Sequence, residues 1–335
     1  MYLLINKKIK KYQQKYIPYS FFFQNEWMRV IEETFKFHRF YFIFKNYKKT
    51  LLILPIHKVH YFINYEMISL PYSFNLKLDE NNENVINNYL NDIKKKILNC
   101  KDVVIKSTFE TWEGKKNFKT RYHYYQVDLA DGFEMKFSKN IKRKINIKNV
   151  KYKFIKNFNS EDFNEFFENY LSNCKELKTF FYPKIFFNNL FKLMKKNFFI
   201  LCCYQNNIFL GGILIFLDKK NSEGIYFISS KSNIGRKNSI DKVLLFRSMK
   251  LCKKIKIKAF NLGKTNIKNE GLNLFKSQFG SKKKTLNYFS LKEQNYSILD
   301  QQNIFRYIIE FIIKLMPRCA YKIFNNFLFK FLAKY

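Results

Sequence analysis

Ala259–Phe289, AFNLGKTNIKNEGLNLFKSQFGSKKKTLNYF, restricts the fold more than any other part of the chain. It reads as a strand, a turn, a short helix and a second strand. Leu272, Phe275 and Phe279 recur at i, i+3 and i+7, so they predict one apolar helical face. Lys276 lies one turn after Leu272, at the edge of that stripe. An ammonium so close to a core seam has two readings. It faces a binding cleft, or it snorkels along the helix with its charge in water.

The chain has 335 residues, enough for two lobes that each hold a core. It is 47% hydrophobic and 19% aromatic, which excludes a disordered chain. The net charge of +36 invites a nucleic-acid reading, but only eight of the 62 basic residues are Arg. Arg is the better residue for bidentate phosphate recognition, and the lysines are spread along the whole chain. Lys, Asn, Ile, Phe and Tyr share A/T-rich codons, so base bias accounts for much of the charge. The remaining field favours an anionic partner. The six cysteines and four histidines show no metal-type spacing, which predicts buried free thiols and no metal. No apolar run reaches the 18 or so residues needed to cross a bilayer. The four-residue apolar run at the start is too short for a signal peptide. The expected location is the cytoplasm.

Periodicity places a helix after Asn25, strands over Arg39–Phe44, Leu51–Val59 and Tyr65–Phe74, and a helix carrying Val85, Ile86, Tyr89, Leu90, Ile93 and Ile97. Strands over Asp102–Phe109 and His123–Leu129 close this first part. The basic stretch Phe137–Val150 is a solvated face or a phosphate clamp. Two aromatic helices follow, one capped at Asn159–Ser160 and one opened by Pro183 at its first position. Then come three strands from Phe198 to Ser232, a helix over Ser239–Lys254 and the segment above. The tail from Ile304, apolar and basic together, is split by Pro317. It docks on the second lobe or lies on an anionic membrane surface. The expected domains are 1–150, 151–295 and 296–335, and the similar order of the first two suggests an internal duplication.

Asn261-Leu-Gly263-Lys264-Thr265, Gly271, Phe275-Lys276-x-x-Phe279-Gly280 and Leu286-x-Tyr288 together resemble the FemAB-like branch of the GNAT acyltransferases, a group that includes BioF2-like acetyltransferase domains. Leu54-Pro55, Ser69-Leu70-Pro71-Tyr72 and Ser138-Lys139-Asn140-x-x-Arg143 support the match, which covers about Arg39 to Phe289. Asn261 stands where the family carries an acid and Lys264 where it carries Arg. The resemblance implies an α/β (α+β) fold of two tandem GNAT-like lobes, each a mixed, mostly antiparallel sheet flanked by helices, with a short helical tail. It also implies transfer of an acyl or aminoacyl group from acyl-CoA or aminoacyl-tRNA to the amine of a cell-envelope precursor, in peptidoglycan, glycan or exopolysaccharide synthesis. The enzyme is expected to be a monomer.

Acyl transfer needs a donor aimed at the tetrahedral oxyanion, and Lys276 is the candidate, with Asn261 beside it as the second catalytic residue. Tyr226, Ser229 and Lys231, on the strand before the turn, are candidates for lining the cleft. Gly235 and Arg236 precede a helix and form either a phosphate-binding turn or a plain one. Lys264, Gly271, Phe275 and Arg143 complete the donor- and substrate-binding set. No Ser-His-Asp or Cys-His arrangement supplies a general base. The rival reading is a non-catalytic protein, either RNA-binding through its charge or a membrane-peripheral scaffold anchored by the tail.

Overall fold

The computed structural model describes residues 2–5, 11–46, 49–61, 64–69, 85–86, 100–107, 118–290 and 304–329. Its contacts divide the chain into two interleaved lobes. The first holds Met1–Tyr122, Thr285–Arg306 and Ile323–Tyr335, and the second holds His123–Lys284 and Tyr307–Lys322. The division therefore falls at Tyr122, where the sequence reading put it after Val150. The cause is β6 (Phe118–Asp128): its later half, His123–Asp128, belongs to the second lobe instead of closing the first.

In the first lobe, helix α1 (Asn25–Phe35) buries Trp27, Met28, Val30 and Ile31. Its strands are β1 (Tyr2–Ile5), β2 (His38–Asn46), β3 (Lys49–Tyr61), β4 (Asn64–Ile68) and β5 (Cys100–Ser107). The sheet order is β1-β2-β3-β4-β5-β12, where β12 is Lys282–Ser290 from far along the chain. Thr285–Ser290 is the part of β12 that belongs here, pairing Asn287 antiparallel with Ser107. β4 and β5 run parallel. Beyond the ladder, Ser69 N–H donates to Val104 O at 2.9 Å, and Lys106 N–H donates to Ser69 Oγ at 3.0 Å. Arg39 grips the Glu32 carboxylate with two N–H groups at 2.5 and 2.9 Å, tying α1 to the sheet. His57 is buried and His60 exposed, as their odd spacing on a strand requires. Of the helix expected from Val85 to Ile97, only Val85 and Ile86 are described, and both are helical. Leu70–Tyr72 also lie outside the described residues.

The second lobe opens with β6, α2 (Lys139–Lys144) and β7 (Lys151–Phe154). β7 is a strand the sequence reading lacked: it is four residues long, and its lysines obscure any apolar alternation. Then come α3 (Glu161–Glu176), α4 (Lys184–Met194), β8 (Phe198–Gln205), β9 (Ile208–Asp218), β10 (Glu223–Lys231), α5 (Asn233–Lys237), α6 (Ile240–Lys254), β11 (Ala259–Asn266) and α7 (Glu270–Ser277). The sheet order is β6-β11-β10-β9-β8-β7. β7 to β10 are antiparallel neighbours, and β10 runs parallel to β11.

Ser160 caps α3 by accepting from Phe163 N at 3.2 Å, with Glu161 and Asp162 in the first turn favouring the helix dipole. Pro183 sits one place earlier than expected, as the N-cap of α4. Edge-to-face rings knit α3 to α4, with Phe163 and Phe187 5.6 Å apart. A second core of Leu210, Ile213, Ile215, Val243, Leu244 and Met249 packs α6 on the sheet, and it extends to Phe137 and Phe279.

The tail forms α8 (Ile304–Leu315) and α9 (Arg318–Leu328), broken at Pro317. One side docks on the second lobe. Ile313 and Tyr321 are buried, the Tyr321 hydroxyl donates to Thr179 O, and its ring lies 5.2 Å from that of Phe181. Arg318 and Lys322 pair with Glu168 at 2.7 and 3.3 Å.

Candidate functional site

The parallel pair β10–β11 is a ladder for three positions only, Glu223↔Ala259, Gly224↔Phe260 and Ile225↔Asn261. β10 then carries a bulge between Tyr226 and Ile228 in its pairing with β9, and it continues to Lys231 without rejoining β11. A bulge inserts one residue and bends its strand. The extra residue, Phe227, sends its ring into the aromatic core, 4.8 Å from Phe216 and 5.1 Å from Tyr182. The two strands thus part like a V, and their facing edges carry backbone groups that the ladder no longer uses. At the far end Asn173 of α3 replaces the missing strand. Its Oδ1 accepts from Lys231 N at 2.7 Å, and its Nδ2 donates to Lys231 O at 2.8 Å.

The base of the V is a buried polar network. Asn261 is fully enclosed: its Oδ1 accepts the Gly263 N–H at 2.9 Å, and its Nδ2 donates to Glu223 Oε1 at 3.4 Å. Gln126 Nε2 donates to the same Glu223 oxygen at 2.5 Å, and Lys284 Nζ donates to Gln126 Oε1 at 2.9 Å. Asn261 thereby shapes the turn in β11, where Gly263 has φ +78°. A side chain at Gly263 would be strained there and would lie 3.4 Å from Tyr226 O and 3.8 Å from Lys276 Nζ.

Lys276 comes up beneath this turn. Its side chain is buried, with 3% of its surface exposed, and Nζ donates to Gly263 O at 2.8 Å and Lys264 O at 3.0 Å. The sequence reading put Lys276 at the edge of an apolar stripe led by Leu272. In the structure Lys276 is the buried residue of α7, whereas Leu272 is 38% exposed. The reason lies at the end of the helix. Phe279 packs edge-to-face on Phe137 at 5.3 Å, and Gly280 (φ +63°) closes on the Lys136 backbone, so the helix is rotated to turn Lys276 inward. Loss of hydration pushes the Lys276 amine down to about 7, and the neighbouring Lys264 charge adds to this. Lys264, half-buried, is likewise lowered to about 7 by loss of hydration. An ammonium has three donors. Two of Lys276's are spent on the turn, and one remains.

The other expected residues divide into those at the V and those away from it. The Tyr226 hydroxyl donates to Ser229 Oγ at 2.9 Å, both on the diverging part of β10. Lys231 closes its far end and pairs with Asp241 at 3.5 Å. Phe275 packs on Phe279 at 5.4 Å as part of the core. Gly271 is exposed, with open space where a side chain would go. Arg143 is exposed on α2. The turn at Gly235 and Arg236 is self-satisfied. Gly235 N–H donates to Ser232 Oγ at 3.1 Å, a Cβ there would collide with Leu210 O, and Arg236 is held by Glu176 and Asn233. The glycine is there for packing. Sequence reasoning missed Glu223, Gln126, Asn173 and Thr265, whose buried hydroxyl lacks a hydrogen-bond partner. Among the described residues no group of three or more His, Cys, Asp or Glu could hold a metal ion.

No protein-family model matches the sequence, and no curated protein sequence matches it. Solved structures do resemble it. FemX superposes with a TM-score of 0.61 at 11% identity, covering 80% of this chain and 92% of FemX. L-PGS from Bacillus licheniformis gives 0.51 at 13% identity, covering 78% and 86%. A C-terminal domain assigned to a lysylphosphatidylglycerol synthetase from Agrobacterium fabrum gives 0.50 at 10% identity, covering 71% and 81%. At such identities the likeness is one of fold: the tandem GNAT-like α/β lobes that the motifs implied, each a mixed sheet flanked by helices.

Proposed function

We propose that this chain is a GNAT-fold, FemAB-like acyltransferase that moves an acyl or aminoacyl group from an activated ester or thioester to an amine of a cell-envelope precursor. The observation that carries this reading is the third N–H of Lys276. Two bonds to the Gly263 and Lys264 carbonyls hold Nζ in the crook of a parallel strand pair that has come apart. A carbonyl lying in the V accepts hydrogen bonds from freed backbone N–H groups and from the remaining ammonium donor. When the acceptor nitrogen attacks, the carbonyl oxygen gains charge, and a preorganised donor in a dry site stabilises it. The acceptor's N–C bond forms, the C–O or C–S bond to the donor breaks, and the amine proton leaves with solvent or the departing group. An amine held near 7 loses its charge at little cost, so Lys276 also cycles readily between donor and acceptor of a proton. Asn261 acts as a positioning residue, because both ends of its side chain are committed to the turn. Tyr226 and Ser229 line the V, with Lys264 as the second cation.

Of the two donors, an aminoacyl ester of tRNA fits better than acyl-CoA. The turn at Gly235–Arg236 has spent its N–H and its guanidinium internally, which leaves little to grip a pyrophosphate. The net charge of +36 suits a polyanionic donor. Purified protein incubated with charged tRNA, and separately with labelled acyl-CoA, tests this by following donor loss with an amine-bearing muropeptide precursor. Lys276→Ala should lower turnover about 10²–10³-fold while leaving the thermal midpoint within a few degrees. Undiminished turnover in that variant would remove Lys276 from the mechanism. Turnover with acyl-CoA alone would reverse the choice of donor.

A further inference from the structure

The docked tail has a second side. On α8, Ile308, Phe311 and Leu315 follow one another at i, i+3 and i+7, and they are 48%, 62% and 65% exposed. At 100° per residue they form one stripe, and it lies opposite Ile313, the residue that is buried. Exposed Tyr307 flanks the stripe on one side, and exposed Lys314 lies close by. Residues 304–335 carry six basic side chains against one acid, Glu310. Two residues before Thr179, whose carbonyl holds the tail through Tyr321, Leu177 and Lys178 add a further exposed apolar residue and a base. Large side chains in line on a helix that is already anchored by its other face do not serve the fold. Burying them would need a partner that is apolar and negatively charged at once.

We infer that the outer face of α8 docks on an anionic lipid bilayer, lying in the interface with Ile308, Phe311 and Leu315 inserted and Lys314 reaching the headgroups. An apolar stripe with flanking bases is the form such interfacial helices take, and the two contributions together give anchoring that neither gives alone. Among the described residues no helix is long and apolar enough to cross a membrane, so the contact is a surface one. A second copy of the chain fits poorly, because each copy brings +36 and like charges oppose that approach. This inference stands apart from the acyl-transfer reading, since none of the three residues belongs to the V.

The test is co-sedimentation of the full chain with vesicles of phosphatidylcholine mixed with phosphatidylglycerol, over a range of salt. A protein of this charge adheres to anionic vesicles at low salt in any case, so the decisive measurement is at roughly 0.5 M salt, where charge–charge attraction is largely screened. The wild type should stay bound. The triple variant Ile308→Ser, Phe311→Ser, Leu315→Ser should partition about tenfold less or weaker still, with an unchanged thermal midpoint. Independently, Phe311→Trp should show a blue-shifted emission with these vesicles and quenching by brominated lipid. Equal release of wild type and triple variant by salt would overturn the inference. So would an emission from the Phe311→Trp variant that is indifferent to vesicles, or a wild-type dimer that the triple variant converts to monomer without any vesicle binding.

Discussion

Each lobe contains a pair of parallel strands, and the two pairs have gone different ways. In the first lobe β4 and β5 stay joined past the end of their ladder, because the Ser69 backbone and hydroxyl continue the bonding to Val104 and Lys106. In the second lobe β10 and β11 part after three positions, with a bulge at Phe227 on one side and a left-handed glycine, Gly263, on the other. The same topology therefore yields a closed seam in one place and an opening in the other. Two small devices decide which: a hydroxyl that substitutes for a strand, or a surplus residue that bends one.

Filling the opening should have the largest effect. Gly263→Val puts a branched side chain at φ +78°, beside Tyr226 O and Lys276 Nζ. Strain of about 1–2 kcal/mol should lower stability, and displacement of the ammonium should lower turnover about 100-fold or more. Steady-state kinetics set against a melting curve separates the two. Loosening the closed pair comes next. Ser69→Ala orphans the buried Lys106 N–H and should cost about 1–3 kcal/mol in denaturant unfolding, with kcat and KM for folded protein unchanged. A raised KM would mean that the first lobe's seam also meets a ligand.

A smaller effect is a slope. In the folded protein the Lys276 amine sits at about 7 against 10.5 when unfolded, so between those values the unfolded chain binds more protons. Stability should therefore rise with pH across that window, by about 1 kcal/mol per unit from this group. Lys276→Met should flatten the rise, and denaturation at several pH values reads it. Smallest of all, Gly271→Ala, at an exposed helical position with free space around it, should add about 0.5–1 kcal/mol. A loss of activity there instead would place a ligand against the start of α7.

The sequence announced the elements well where side chains repeat. The stripes of α3 and α4, the apolar runs of β8 and β9 and the order β11–α7–β12 all follow from the spacing of apolar residues. Lys276 could be singled out for the same reason, as a charge out of place in a pattern. The V could not be read. FISSK continues β10 with no proline or charge to mark a bulge, and the end of a ladder depends on a partner strand some 35 residues away. Asn173 did leave a trace, a polar residue among the buried positions of α3, but nothing local shows that it bonds the Lys231 backbone. Gly235 misled in the other direction. A glycine before a helix suggests a phosphate turn, while here it clears the carbonyl of Leu210. The domain limits failed because a strand can leave one sheet's neighbourhood and serve another's without any change in composition.

That interleaving bears on how the protein is made. The outer edge of β5 is closed by Thr285–Ser290, more than 170 residues later in the chain. While the ribosome extends the nascent polypeptide, the first lobe's sheet must persist with one flank of hydrogen-bonding groups unsatisfied until translation is almost complete. Such a flank invites pairing with other chains. Premature termination anywhere before Ser290 therefore releases a product with an adhesive border, and cells producing this protein have reason to shield it during synthesis.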